Sequence, residues 1–190
     1  MYQLGDRIAK KIEIMTSYKK IVSYVKAHKW ASILFEASII ILILLAFSWF
    51  QNRGTLAADG EMAPDFQLTS ITGEVVTLSE LKGKKVLIYF FAPWCSICHM
   101  SGGNLNALRK ARSEDELEIL VVGLSWEYAG EIQDFANDLE LTMPVLYGNN
   151  QQMQDYKIKG FPTYFVIDEE GKVIHRSVGY STELGMRLRT

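Results

Sequence analysis

Cysteine and histidine are scarce in this 190-residue chain, which has two of the first, Cys95 and Cys98, and three of the second. Two cysteines exclude a small secreted scaffold held by a disulfide framework. A zinc centre takes about four ligands, and only His99 lies beside the pair in sequence, His28 and His175 being remote. A dominant charge is missing as well: the net charge is −2, so the whole-chain balance shows no basic excess and no nucleic-acid partner is expected. No internal repeat or low-complexity tract appears.

The small net charge conceals an asymmetry. Residues 1–29 carry seven Lys/Arg against Asp6 and Glu13, a net of +5, which leaves −7 on residues 30–190. Ala31 to Phe50 reads ASILFEASIIILILLAFSWF, about 20 mostly apolar residues, the length that spans a hydrocarbon core as a helix. The expectation is a cytoplasmic basic amphipathic segment over 1–29, with apolar residues at Ile8, Ile12, Met15, Tyr18, Val22 and Val25, and a transmembrane helix over 30–50 with Trp30 and Trp49/Phe50 at the interfaces. A cleaved signal peptide is the rival, but its apolar part is typically about 7–15 residues, and Ala57-Ala58 is a weak cleavage site. Basic flanks stay cytoplasmic, so the N-terminus is expected inside and residues 51–190 outside. Glu36 lies near the cytoplasmic end of the span, where it can snorkel or pair with Lys29. Residues 51–62, polar and small, read as a linker.

From residue 63 the pattern is α/β. Phe66–Leu68 and Val75–Leu78 are expected as a β-hairpin, followed by a helical turn capped by Ser79. Lys85–Ala92 reads as a strand buried on both faces, and a helix is expected from the cysteines to about Arg112. Leu117–Leu124 is a second buried strand, Gly130–Leu139 a helix, Pro144–Leu146 a short strand and Gln151–Tyr156 a helix. Thr163–Asp168 and Lys172–Val178 form a hairpin, and Ser181 caps a terminal helix. Strands alternating with helices and closed by a hairpin predict a mixed central sheet.

A C-x-x-C at the end of a buried strand puts Cys95 at a helix N-terminus, where unpaired N–H groups and the macrodipole favour a thiolate. Cys95 is then the nucleophile, and Cys98, one turn on, can resolve a mixed disulfide. Trp94 shields the site and offers a contact surface. Three other readings stand beside this one. A structural disulfide closing so short a loop would stabilise little, and zinc lacks ligands. Cys95-Ser-Ile-Cys-His99 matches the c-type haem motif C-x-x-C-H, against which stand the preceding buried strand and Trp94.

Several motifs, in order, resemble the TlpA/ResA-like branch of the thioredoxin superfamily, membrane-anchored extracytoplasmic thiol–disulfide oxidoreductases: Ala63-Pro64-Asp65-Phe66, Leu78-Ser79-Glu80-Leu81-Lys82-Gly83-Lys84, Phe91-Ala92-Pro93-Trp94-Cys95-Ser96-Ile97-Cys98 and Gly160-Phe161-Pro162-Thr163-Tyr164. Gly179–Gly185 resembles the subgroup related to suppressor-of-copper-sensitivity proteins. The resemblance implies a thioredoxin-like domain over 63–190, with an N-terminal β-hairpin and a helix–strand insertion at Glu131–Leu146. It implies a redox-active Cys95–Cys98 disulfide, a cis-Pro162 facing it, and substrate contacts at Trp94, Phe161, Pro162 and Thr163. It further implies a bacterial inner-membrane protein with a periplasmic domain, no cofactor, extracytoplasmic protein thiols and disulfides as substrates, and a DsbD-type transmembrane electron donor. The expected function is disulfide reduction, with clients in cytochrome c maturation, metal resistance or thiol repair, and disulfide oxidation or haem binding as alternatives.

Three departures stand out. Thioredoxin has a buried acid where Tyr89 stands, many family members have Glu at the position of Ser101, and Gly102-Gly103 occupies the site of a helix-kinking proline. Tyr89 and His99 are therefore candidates for tuning the thiols, the proton acceptor for Cys98 is unassigned, and the glycines suggest an irregular helix or one shaped for a partner's approach. Peroxiredoxins share the Ala-Pro-Asp-Phe opening but need Thr or Ser three residues before the reactive cysteine, where this chain has Ala92, so peroxidase activity is not expected.

Overall fold

The computed structural model describes residues 29–52, 56 and 58–190. The expected amphipathic helix over residues 6–27 lies outside them. The chain divides between Gln51 and Asn52 into two units. In the first, helix α1 (Lys29–Asn52) covers the long apolar run, and the side chains described within it, residues 33–46, are exposed all round. Among the described residues no helix is long and apolar enough to cross a membrane.

The second unit is a thioredoxin-like α/β domain. Strands β1 (Gln67–Thr69) and β2 (Val75–Thr77) pair as an antiparallel hairpin, followed by a 3₁₀ turn at Leu78–Leu81. A five-stranded mixed sheet then runs in the order β5-β4-β3-β6-β7. Its strands are β3 (Lys85–Phe91), β4 (Leu117–Gly123), β5 (Val145–Tyr147), β6 (Thr163–Ile167) and β7 (Val173–Val178). The first three are parallel, and β6 and β7 are added antiparallel. Helices α2 (Ser96–Ala111), α3 (Ala129–Asp138), α4 (Asn150–Asp155) and α5 (Glu183–Arg187) complete the domain.

Residue parity on β3 decides what lies under the cysteines. Successive side chains of a strand point to opposite faces. Leu87, Tyr89 and Phe91 accordingly enter one core with Cys95, Cys98, Leu105, Leu108, Phe135 and Met186. Val86, Ile88 and Phe90 enter the other with Phe66, Leu120, Tyr156 and Phe165. Both faces are covered, as the near-continuous apolar run of β3 requires.

Two caps differ from expectation. The turn after β2 has Thr77, not Ser79, at its N-cap, without a side-chain cap bond; the N–H of Ser79 donates instead to Asp65 Oδ1 at 2.9 Å. Helix α5 is capped by Thr182, whose Oγ1 accepts from Gly185 N at 3.1 Å, while the Oγ of Ser181 lies 3.3 Å from that of Ser177. The domain's hydrogen bonding also reaches into the stretch expected as linker: Leu56 N donates to Tyr156 O, Gly60 N to Val173 O, and Val173 N to Glu61 O.

Helix α2 runs unbroken through Gly102 and Gly103. A Cβ on Gly102 would lie 2.6 Å from Leu139 Cδ1 and 3.4 Å from Phe135 Cζ, whereas one on Gly103 meets nothing within 4 Å. Gly102 thus serves the close approach of α3's end. Glycine in a helix interior costs about 1 kcal/mol relative to alanine. Gly103→Ala is expected to stabilise the domain by about 0.5–1 kcal/mol, and Gly102→Ala to come out at least about 1 kcal/mol less favourable because Leu139 must yield. Urea midpoints of the two variants check this ordering.

Candidate active site

The site forms where β3 ends and α2 begins. After Ala92 the chain turns back, Cys95 N donating to Ala92 O at 3.0 Å, and Cys95 becomes the N-cap of α2 with its Sγ accepting from Cys98 N at 3.2 Å. Cys98 N and His99 N also donate to Cys95 O, at 2.9 and 3.2 Å. The sulfur that caps a helix in this way sits where N–H groups and dipole stabilise negative charge. Cys95 and Cys98 are disulfide-bonded, with Cα atoms 5.2 Å apart. Cys95 is 8% exposed and Cys98 fully buried. Of the two sulfurs, that of Cys95 is therefore the one a partner can reach.

Trp94 is 69% exposed. Its Nε1 donates to Ser125 O at 3.1 Å, and its ring meets that of Phe161 edge-on at 5.9 Å. The Phe161–Pro162 peptide is cis, and Phe161 packs on the core that contains both cysteines. Pro162 O accepts from Gly179 N at 2.7 Å. Thr163 is fully buried, and its Oγ1 donates to Gly160 O at 2.7 Å. The structure thus brings Trp94, Cys95 and Phe161 together, with Pro162 and Thr163 following Phe161 in the buried entry to β6. His99 points its Nε2 at Pro93 O, 3.1 Å away, and its ring lies 4.7 Å from that of Phe135.

Beneath Cys98 lies Tyr89. It is fully buried and its hydroxyl donates to Cys98 O at 3.3 Å. Burial pushes its pKa far above the ordinary 10.0. Tyr89 therefore stays protonated wherever the enzyme works, and serves as a hydrogen-bond donor rather than a base. The shift also has a sign in stability. The folded state holds this proton more tightly than the unfolded chain, so the contribution is complete below about pH 10 and is lost as pH rises beyond it, when the unfolded tyrosine ionises. Urea unfolding between about pH 9 and 11.5 is expected to fall less steeply with pH for Tyr89→Phe than for the native chain.

The Cys95–Cys98 disulfide and the cis bond at Pro162 were both expected from the sequence. Sequence reasoning missed Ser101 with Ser181, and no local pattern announces a contact across 80 residues.

A thioredoxin-like fold with an oxidised dithiol at a helix N-terminus defines a thiol–disulfide oxidoreductase. Comparison with known proteins agrees. Residues 60–176 match the AhpC/TSA family. The chain is 30% identical over 161 residues to the thioredoxin-like protein YneN of Bacillus subtilis, covering 80% of this chain and 94% of that one. It is 32% identical over 151 residues to the thiol-disulfide oxidoreductase ResA of Geobacillus kaustophilus, covering 76% and 86%. Among solved structures, a putative thiol:disulfide interchange protein DsbE from Chlorobium tepidum superposes with a TM-score of 0.61 at 32% identity, over 68% of this chain and 91% of that one. The chain belongs to the AhpC/TSA family, with the ResA/TlpA-like thioredoxins, and is an enzyme of thiol–disulfide exchange.

Proposed function

We propose that this enzyme is a membrane-anchored, extracytoplasmic reductase of protein disulfides. The observation that carries the chemistry is the accessible Cys95 sulfur at the N-cap of α2, backed by a buried Cys98. In the reducing direction the Cys95 thiolate attacks a substrate disulfide and expels one substrate thiolate. The thiolate of Cys98 then attacks Cys95, releasing the second substrate thiol and closing the Cys95–Cys98 disulfide. Trp94 and Phe161 form the substrate contact, an extended segment pairing with the backbone at Phe161 as an added strand, while the buried Pro162 and Thr163 hold that backbone in place. Ala92, fully buried, supplies no hydroxyl for peroxide chemistry.

Anchoring is supported by the apolar run 31–50, by the seven cations that precede it, and by the apolar side chains exposed around α1 over 33–46. The cation bias puts the catalytic domain outside, at the bacterial inner membrane. A domain held there draws electrons from a DsbD-type membrane carrier and serves clients in cytochrome c maturation, metal resistance or thiol repair. Rapid acid quenching of cells followed by alkylation tests the direction. The pair is expected mostly reduced, and oxidised when the membrane carrier is removed. A pair found oxidised in both strains, with a potential near about −120 mV, would make the protein an oxidase. Protease added to spheroplasts is expected to cleave the domain while a cytoplasmic marker survives.

A further inference from the structure

The oxidised pair is held by its own covalent bond, but in the mixed-disulfide intermediate that bond is open and Cys98 must be kept in place by something else. Helix α2 alone is poorly suited to do so, because Gly102 and Gly103, the weakest helix formers after proline, follow within about a turn and a half. The structure offers a lateral tie. Ser101, fully buried and one turn beyond Cys98, has its Oγ 3.3 Å from both the backbone O and the backbone N of Ser181, donating to one and accepting from the other. Asn104 Nδ2, on the next turn, donates to the same Ser181 O at 2.9 Å. On the sheet side, Tyr89 donates to the carbonyl of Cys98. These groups are neutral, buried except for the half-buried Asn104, and join β3, α2 and the loop between β7 and α5.

We infer that Ser101 is a positioning residue for Cys98: with Tyr89 it ties the turn that carries the resolving cysteine to Ser181, and so holds Cys98 for attack on Cys95 once the disulfide is open. A buried hydroxyl whose partners are backbone groups of a distant loop fixes geometry, and small misplacements of a reacting group are costly in rate. The inference is independent of the direction in which electrons flow in the cell.

Two-step thiol release separates this role from a merely structural one. The detergent-solubilised full chain is reduced with dithiothreitol, desalted and mixed with dithionitrobenzoate. Attack by the Cys95 thiolate releases a first coloured aryl thiolate and leaves the second on Cys95. Cys98 then gives its proton to water, attacks Cys95 Sγ and expels the second aryl thiolate, so that the protein loses two electrons and the reagent gains two. Ser101→Ala is expected to leave the first release within about twofold and to slow the second about tenfold, and Ser101→Thr, which keeps the hydroxyl, to restore it to within about threefold. Tyr89→Phe should also slow the second release selectively, and the double variant should be slowed by less than the product of the single effects, because the two act through one tie. Equal slowing of both releases, no slowing of the second, or a folded Ser101→Thr no better than Ser101→Ala would overturn the inference. Should Ser101→Ala not fold, the step selectivity of Tyr89→Phe decides the matter.

Discussion

Cys95→Ser is expected to abolish the reduction of insulin disulfides, a loss of more than about 10³-fold, whereas Cys98→Ser should still attack and then stall as a stable mixed disulfide. The asymmetry follows from position. Cys95 caps α2 and accepts the N–H of Cys98, so its thiolate is favoured by dipole and hydrogen bond and its sulfur is the one a partner reaches. A serine hydroxyl in its place does not ionise near neutral pH. Cys98 is fully buried and acts only after Cys95 has been captured. Non-reducing gels of cells carrying Cys98→Ser should therefore show high-mass species that collapse on reduction. The same gels of Cys95→Ser should show none. Identification of the captured proteins also reports the clients.

The second large effect is expected at Phe135, on α3. Its ring stacks on Phe91 at 3.8 Å and 20°, meets His99 at 4.7 Å, and lies against the space Gly102 leaves open. It thereby joins the helix inserted between β4 and β5 to β3, to α2 and to the residue after Cys98. Phe135→Ala should cost about 3–5 kcal/mol, the range for deleting a buried ring whose surroundings collapse only in part, read as a fall in urea midpoint at unchanged slope. Because His99 loses a ring neighbour, insulin reduction under native conditions is also expected to fall, by less than the loss from Cys95→Ser. Phe135→Leu, which keeps most of the volume, should recover most of the stability.

What the sequence made legible was local. The continuous apolar run of Lys85–Phe91 and the two-residue spacing of the cysteines each announce a structure within a few residues of themselves. The alternating parity of β3 even puts Tyr89 under the cysteines once the strand is granted. Features that depend on distant partners were not legible. Asp65, 14 residues away, accepts from Ser79 N in the turn that Ser79 was expected to cap, and Thr182 rather than Ser181 caps α5, the backbone of Ser181 being tied to α2. Gly102 looked like a defect in a helix until the end of α3 was found against it. The departures at Tyr89 and Ser101, each a missing acid when taken alone, are two neutral ties on the same turn of α2, Tyr89 to the carbonyl of Cys98 and Ser101 to the backbone of Ser181. His99 completes a haem motif in the sequence, yet in the fold its ring is directed to Pro93 and Phe135, while the two sulfurs are joined to each other.

The most direct test of Cys95 as the attacking thiol is the rate of alkylation of the reduced protein by iodoacetamide as a function of pH, with the modified residue identified by peptide mass. The expected result is modification of Cys95 first, with a midpoint below that of a free thiol, and Cys98 protected until the domain unfolds. Modification of Cys98 first, or of both at the same rate with the midpoint of a free thiol, would contradict the account.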